Sequence, residues 1–161
     1  MTPAAEPGWR PCVGVMLVRD GRLFVGRRAD RPGDGPEAAW QMPQGGIDAG
    51  EDIPTAALRE LWEETGIPAS LVEVEAIAPE PVTYEVPPEL RPRHWGGRYK
   101  GQALTWVLMR YRGTDDQVSV ATAHPEFSEW RWAAPGEVVA GIVDWKRAAY
   151  EAALRAFGDR L

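Results

Sequence analysis

Glu60, Glu63 and Glu64 stand at i, i+3 and i+4, a spacing that puts three carboxylates on one face of a helix. Like charges so placed oppose helix formation by roughly 0.2 to 0.5 kcal/mol per pair. They also fall in the last turns before Gly66, where the negative end of the helix dipole disfavours acids. A hard divalent cation, which takes carboxylate oxygens, relieves both problems. The bland alternative is a solvated acidic face, the commoner fate of a Glu-rich helix. Two neighbours favour the metal. Gly45-Gly46 supplies bare backbone able to offer a carbonyl ligand, and Arg59 with Glu51 suits an ion pair between loop and helix that holds the carboxylates in place.

The rest of the composition sets limits on this chemistry. The chain has 161 residues, 18 Lys+Arg against 24 Asp+Glu, and a formal charge of -6. That length suits one domain over 1–161, with residues 1–9, rich in Pro, Ala and Gly, loose at the start. A protein held on nucleic acid by bulk electrostatics should be basic, because such affinity comes from neutralising phosphates. An anionic substrate at a local site stays compatible with the charge if metal ions or arginines reverse the field there. Cys12 is the only cysteine, which excludes an internal disulfide and any multi-cysteine zinc site. No run approaches the ~18 to 20 apolar residues of a membrane span. Met1 to Pro11 carries no basic segment leading into an apolar one, so a cytoplasmic location is expected.

Several elements must position the acids. Cys12–Val18 reads as a buried strand, Asp20-Gly21 as a hairpin turn and Arg22–Gly26 as its partner. Residues 29–39 are a loop, and Trp40–Gly46 is a short extended piece ending in the glycine pair. Asp52–Thr65 is the strongest helix, with Pro54 near its start and Gly66 at its end. Its apolar stripe is Ala57, Leu58, Leu61 and Trp62. Residues 72–78, 103–111 and 129–133 are strand candidates, 79–101 a long connection rich in Pro and Arg, and Ile142–Phe157 an amphipathic helix. Strands and helices mixed in this order point to an α/β or α+β layered domain.

From Gly45 the chain runs through five residues to Glu51, then seven more to Arg59-Glu60-Leu61-Trp62-Glu63-Glu64-Thr65-Gly66-Ile67. Every fixed position of the Nudix box is filled, and on these residues the sequence resembles the Nudix hydrolases. The resemblance implies the Nudix fold, an α/β/α sandwich around a mixed β-sheet, and metal-dependent hydrolysis of a nucleoside diphosphate linked to a further group. Gly8-Trp9-Arg10-Pro11, Arg27-Arg28, Trp40–Ile47, Pro125-Glu126-Phe127, Trp130-Arg131-Trp132 and Trp145-Lys146-Arg147 extend it. They resemble the bacterial RNA pyrophosphohydrolases and the similar dinucleoside polyphosphate (Ap4A) hydrolases. Two departures stand out. After Gly101-Gln102 the usual lysines are missing, and the 29–39 loop is long for the family.

By that resemblance Glu60, Glu63, Glu64 and the Gly45 carbonyl hold more than one Mg²⁺ or Mn²⁺ ion, and Glu126 adds an acid from outside the helix. Glu60 is the first choice for general base, and Arg59 counts with the catalytic set. Arg10, Arg28 and Lys146 are candidates for the phosphates. Arg27 alternates with Arg28, since adjacent strand residues face opposite ways and only one should enter the site. Trp145, and less strongly Tyr84, could stack on a base. Trp40, Trp106, Trp130 and Trp132 read as packing, Cys12 as a small buried apolar residue, and His94 and His124 take no role.

The expected reaction is conversion of 5′-triphosphorylated RNA to 5′-monophosphate RNA. Asymmetric cleavage of Ap4A to ATP and AMP is the near alternative. A Nudix module that senses a nucleotide without hydrolysing it, and a mononucleotide sanitiser, are the more distant ones. No membrane partner is expected.

Overall fold

The computed structural model describes residues 8–29, 40–89, 98–123 and 125–161. The expected loop beyond Ala29, residues 90–97 of the expected long connection, His94 and His124 lie outside them.

Strand β1 (Trp9–Arg19) turns at Asp20-Gly21 into β2 (Arg22–Arg28), with Val18 opposite Leu23 and Arg19 opposite Arg22. Asp20 and Gly21 have φ of 50° and 77°, the pair of positive values a type I′ hairpin requires. β3 (Trp40–Gln41) pairs with β2, and β4 (Gln44–Gly46) pairs antiparallel with the first half of β1. Helix α1 (Ile53–Thr65) follows, capped by the Asp52 side chain on the Thr55 N–H and ended by Gly66 at φ 69°. β5 (Val72–Ile77) and β6 (Val82–Glu85) both run antiparallel to β7 (Gly101–Tyr111). β7 lies parallel to β1 along ten paired positions, from Trp9 opposite Gly101 to Val18 opposite Arg110. β8 (Phe127–Ala133) pairs with β2, and α2 (Pro135–Gly141) and α3 (Arg147–Phe157) complete the chain. The result is one eight-stranded mixed sheet with the central order β3-β2-β1-β7-β5.

Alternation along the strands divides the core in two. Cys12, Met16, Val18, Leu104, Trp106 and Leu108 face α3, which contributes Ala149, Tyr150, Ala153 and Phe157. Val13, Val15, Leu17, Val107 and Met109 face α1, which contributes Ile53, Ala56, Ala57 and Leu61. The expected α/β/α sandwich with a mixed sheet is thus present. Trp106 fits because its strand neighbour is Gly14, where a Cβ would lie 2.6 Å from the indole ring.

Three expectations need correction. Trp62 is not part of the apolar stripe of α1: it is 58% exposed, since it lies about 100° further round the helix than the buried Leu61. The connection from 79 to 101 contains β6, hidden in the sequence between Pro81 and Pro87-Pro88. The C-terminal helix begins at Arg147 rather than Ile142. A separate short α2 precedes it, and a 3₁₀ turn over Asp144–Lys146 separates the two.

Candidate active site

α1 brings the acids against the glycine pair. A Cβ on Gly45 would overlap the Glu60 carboxylate, and one on Gly46 would overlap the Arg10 guanidinium. Only glycine at both positions lets an acid and a base close on the same short strand. Arg59 locks this arrangement. Its Nε and Nη2 donate to Glu51 at 2.8 Å each, Nη2 also to the Gly46 carbonyl at 2.8 Å, and Nη1 to Glu60 at 2.8 Å and Glu63 at 3.3 Å. Glu51 in turn accepts from the Asp48 N–H at 3.0 Å, which closes the loop before the helix. The expected ion pair between loop and helix is present.

Electrostatically Glu60 and Glu64 are raised. Burial pushes Glu60 up to about 7, aided by Glu63 and opposed by Arg59 and Arg10. Glu64 is 2% exposed and lies well above the usual carboxylate range, first through burial and then through the charges of Glu60 and Glu126, with Arg28 opposing. Its Oε2 has no hydrogen-bond partner. An orphaned, buried carboxylate oxygen beside two further acids is costly unless a cation takes it. Glu64 and the carbonyl-bearing backbone under Glu60 therefore fit a hard divalent ion. Among the described residues no three acidic, His or Cys side chains close a ligand shell by themselves. A cleft of about 440 Å³ opens beside the acids, lined by Glu60, Glu63, Glu64, Trp62, Thr122 and Glu126 among others. The Ser119 N–H donates to the Thr65 carbonyl at 2.8 Å, tying the segment that leads to Glu126 to the end of α1.

Past the glycines lies a polar cluster on the α3 side. Arg10 donates to the Gln102 Oε1 at 3.1 Å, and the side-chain amides of Gln102 and Gln44 both donate to the Tyr84 hydroxyl. Tyr84 is 6% exposed, so its ring is packed rather than presented as an open face. Lys146, also buried, donates to the Gln41 Oε1 at 3.3 Å, with its Nζ 5.3 Å from the Trp145 ring and 5.8 Å from the Tyr84 ring. The Trp145 and Tyr84 rings are 5.8 Å apart. Cys12 lies within reach of the charges of Arg10, Lys146 and Glu60, and burial pushes its thiol up to about 12. Of the arginine pair, Arg28 is the one whose charge reaches Glu64, while Arg27 sits opposite Trp40 and Glu129. The structure thus gathers Arg10, Tyr84, Trp145 and Lys146 in one cluster, and Arg28 and Glu126 around Glu64. Gln41, Gln44 and Gln102 were missed from sequence. Gln44 and Gln102 each stand next to a glycine of a resembling motif, the only signal they carry.

A family model for the NUDIX domain matches residues 8–155. The chain belongs to the NUDIX family. An RNA pyrophosphohydrolase of Cereibacter sphaeroides is 54% identical over all of this chain and 99% of its own. One of Dinoroseobacter shibae is 53% identical over the whole of both chains. Among solved structures, the dihydroneopterin triphosphate pyrophosphohydrolase of E. coli superposes with a TM-score of 0.68 at 22% identity, over 89% of this chain and 95% of that one. A C. elegans Ap4A hydrolase in a binary complex gives 0.63 at 18%, over 93% and 99%. At these identities the two structures show the fold alone. Nudix hydrolases act on phosphoric anhydride bonds and generally need divalent metal ions, in keeping with the acids gathered on α1. No helix among the described residues is long and apolar enough to cross a membrane.

Proposed function

We propose that this chain is an RNA pyrophosphohydrolase that converts 5′-triphosphorylated RNA to 5′-monophosphate RNA in the cytoplasm. The observation that carries the reading is the identity of 54% to an RNA pyrophosphohydrolase over essentially the full length of both chains. In this reading Glu60, Glu63, Glu64, the Gly45 carbonyl and Glu126 hold more than one divalent cation, Mg²⁺ or Mn²⁺. When bound, the cations neutralise the polyphosphate and acidify the attacking water.

The chain's own groups do the rest. Glu60, held by Arg59 against the glycine strand, accepts the proton of the water that attacks phosphorus. The phosphoric anhydride bond breaks and the outer phosphates leave, as pyrophosphate or one at a time. Arg10, Arg28 and Lys146 bind and orient the phosphates, with Arg27 at the rim. Arg59 keeps Glu60 and the Gly46 carbonyl in register across the glycine strand. Trp145 stacks on a base beside Lys146, and Tyr84 fixes Gln44 and Gln102 beneath the phosphates.

The test is competition. With Mg²⁺, equal concentrations of a short 5′-triphosphate RNA and Ap4A are followed together, and the RNA should be consumed much faster. Faster release of ATP and AMP would make the chain a dinucleoside polyphosphate hydrolase. Binding of both without turnover would make it a nucleotide sensor.

A further inference from the structure

Five arginines of this acidic protein are matched with carboxylates: Arg19 with Asp115, Arg59 with Glu51, Arg110 with Glu75, Arg112 with Glu73 and Arg147 with Asp144. Arg98 and Lys100 meet rings instead, as Arg131 does over Trp40 at 4.6 Å. Among the described residues their charges lie on aromatic rings, Lys100 Nζ at 4.5 Å from the Trp9 ring and Arg98 at 5.6 Å from that of Tyr99. Both cations are exposed, and both rings are partly so. The backbone beneath is fixed. The Lys100 N–H donates to the Gly8 carbonyl at 2.9 Å, and the Lys100 carbonyl accepts from Val86 at 2.8 Å.

Position gives these residues a direction. Trp9 pairs with Gly101, and Arg10 pairs with Gln102, whose amide oxygen takes the Arg10 guanidinium. Arg10 itself lies over Gly46, one residue from Gly45. Trp9 directly precedes Arg10 on β1, and Arg98, Tyr99 and Lys100 directly precede Gly101 on β7, so a basic and aromatic cluster lies at the strand ends next to Arg10, with the Trp9 side chain on the opposite sheet face from that of Arg10. Glu85, opposite Gly101, bounds it on the β6 side. The cleft beside α1 is lined by Glu60, Glu63, Glu64 and Glu126, whose charges repel a phosphodiester chain.

We infer that Trp9, Arg98, Tyr99 and Lys100 form a docking track for single-stranded RNA downstream of the 5′-terminal nucleotides. Cations meet the phosphates, and the rings they cover offer sequence-tolerant stacking. The track rests on the proposed RNA pyrophosphohydrolase reading.

The experiment compares wild type with the double variant Arg98→Ala/Lys100→Ala on 5′-triphosphorylated oligonucleotides of two and eight residues. The wild type should have a lower KM for the octamer. The double variant should lose that advantage, with octamer KM rising about tenfold and dimer kinetics unchanged. The slope of log affinity against log salt for a 5′-monophosphate octamer, read by fluorescence anisotropy, should shrink by about 1.4 for two lost phosphate contacts on a single strand. Equal losses on both lengths, or no loss on the octamer, would overturn the track. If the wild type hydrolyses neither oligonucleotide, the enzyme reading fails. The anisotropy then still decides the track: weaker octamer binding by the double variant supports it, and equal binding overturns it.

Discussion

Helices α1 and α3 pack on opposite faces of one sheet and bury similar small apolar stripes, yet they treat their polar atoms in opposite ways. On α3 the Tyr150 hydroxyl accepts the Met42 N–H at 2.8 Å, and the Ala149 carbonyl accepts the Trp106 indole N–H at 3.1 Å. The Trp106 and Tyr150 rings meet edge to face, 5.3 Å apart at 81°. On α1, Glu64 is buried with an oxygen that has no partner, and Trp62 stands in solvent. One helix is settled by its packing. The other holds an unpartnered carboxyl oxygen in a fixed place, the feature on which the proposed cation site rests.

Removing the charge should separate the two faces most sharply. Glu60→Gln is expected to lower kcat about 1,000-fold, on the scale of losing a principal catalytic group. Without metal its melting temperature should equal or exceed that of wild type, since a buried charge has gone. A large fall in melting temperature with activity retained would make Glu60 structural.

On the other face, Trp106→Ala should cost ~3 to 5 kcal/mol of stability by leaving a cavity over Gly14. Denaturant unfolding measures it. A loss under ~1 kcal/mol would mean that the α3 core does not depend on the indole.

Arg59→Lys keeps the charge but cannot hold Glu51, Glu60 and the Gly46 carbonyl together. Activity should fall about 10- to 100-fold, with a weaker apparent affinity for Mg²⁺. An unchanged Mg²⁺ dependence would deny Arg59 its positioning role.

The smallest effect concerns pH. Glu60 has a folded pKa of about 7 against 4.5 for an ordinary glutamate, and Glu64 is shifted the same way. A raised carboxyl adds stability that is fully present below 4.5 and lost as pH rises through about 7. In EDTA the wild type should therefore melt at a lower temperature at pH 8 than at pH 5.5. Glu60→Gln should reduce that difference. An identical difference in both proteins would mean that Glu60 is not strained.

Much of this was legible in the sequence because it is local. Asp20-Gly21, the Asp52 cap, Pro54 and Gly66 each carry their own backbone chemistry, and the glutamate spacing sets one helix face. Trp62 was misread because hydrophobicity alone does not separate two positions 100° apart on a helix. β6 was hidden because Val82–Glu85 is short and flanked by prolines, and it exists through pairing with β7. The glutamine and Tyr84 cluster joins residues from separate strands, Gln44 to Tyr84 across 40 positions and Gln102 to Tyr84 across 18. No periodicity marks such a meeting, and amide side chains carry no charge to attract notice.

The central claim, that α1 holds its acids in a state a divalent cation relieves, is tested most directly by melting wild type and Glu60→Gln at pH 7.5 across a Mg²⁺ titration. Binding to the folded state adds about 2.7 kcal/mol at 100 times the dissociation constant, a rise of roughly 5 to 10 °C for a chain of this size. The account predicts that rise in wild type and little or none in Glu60→Gln. Equal rises in both, or none in either, would contradict it.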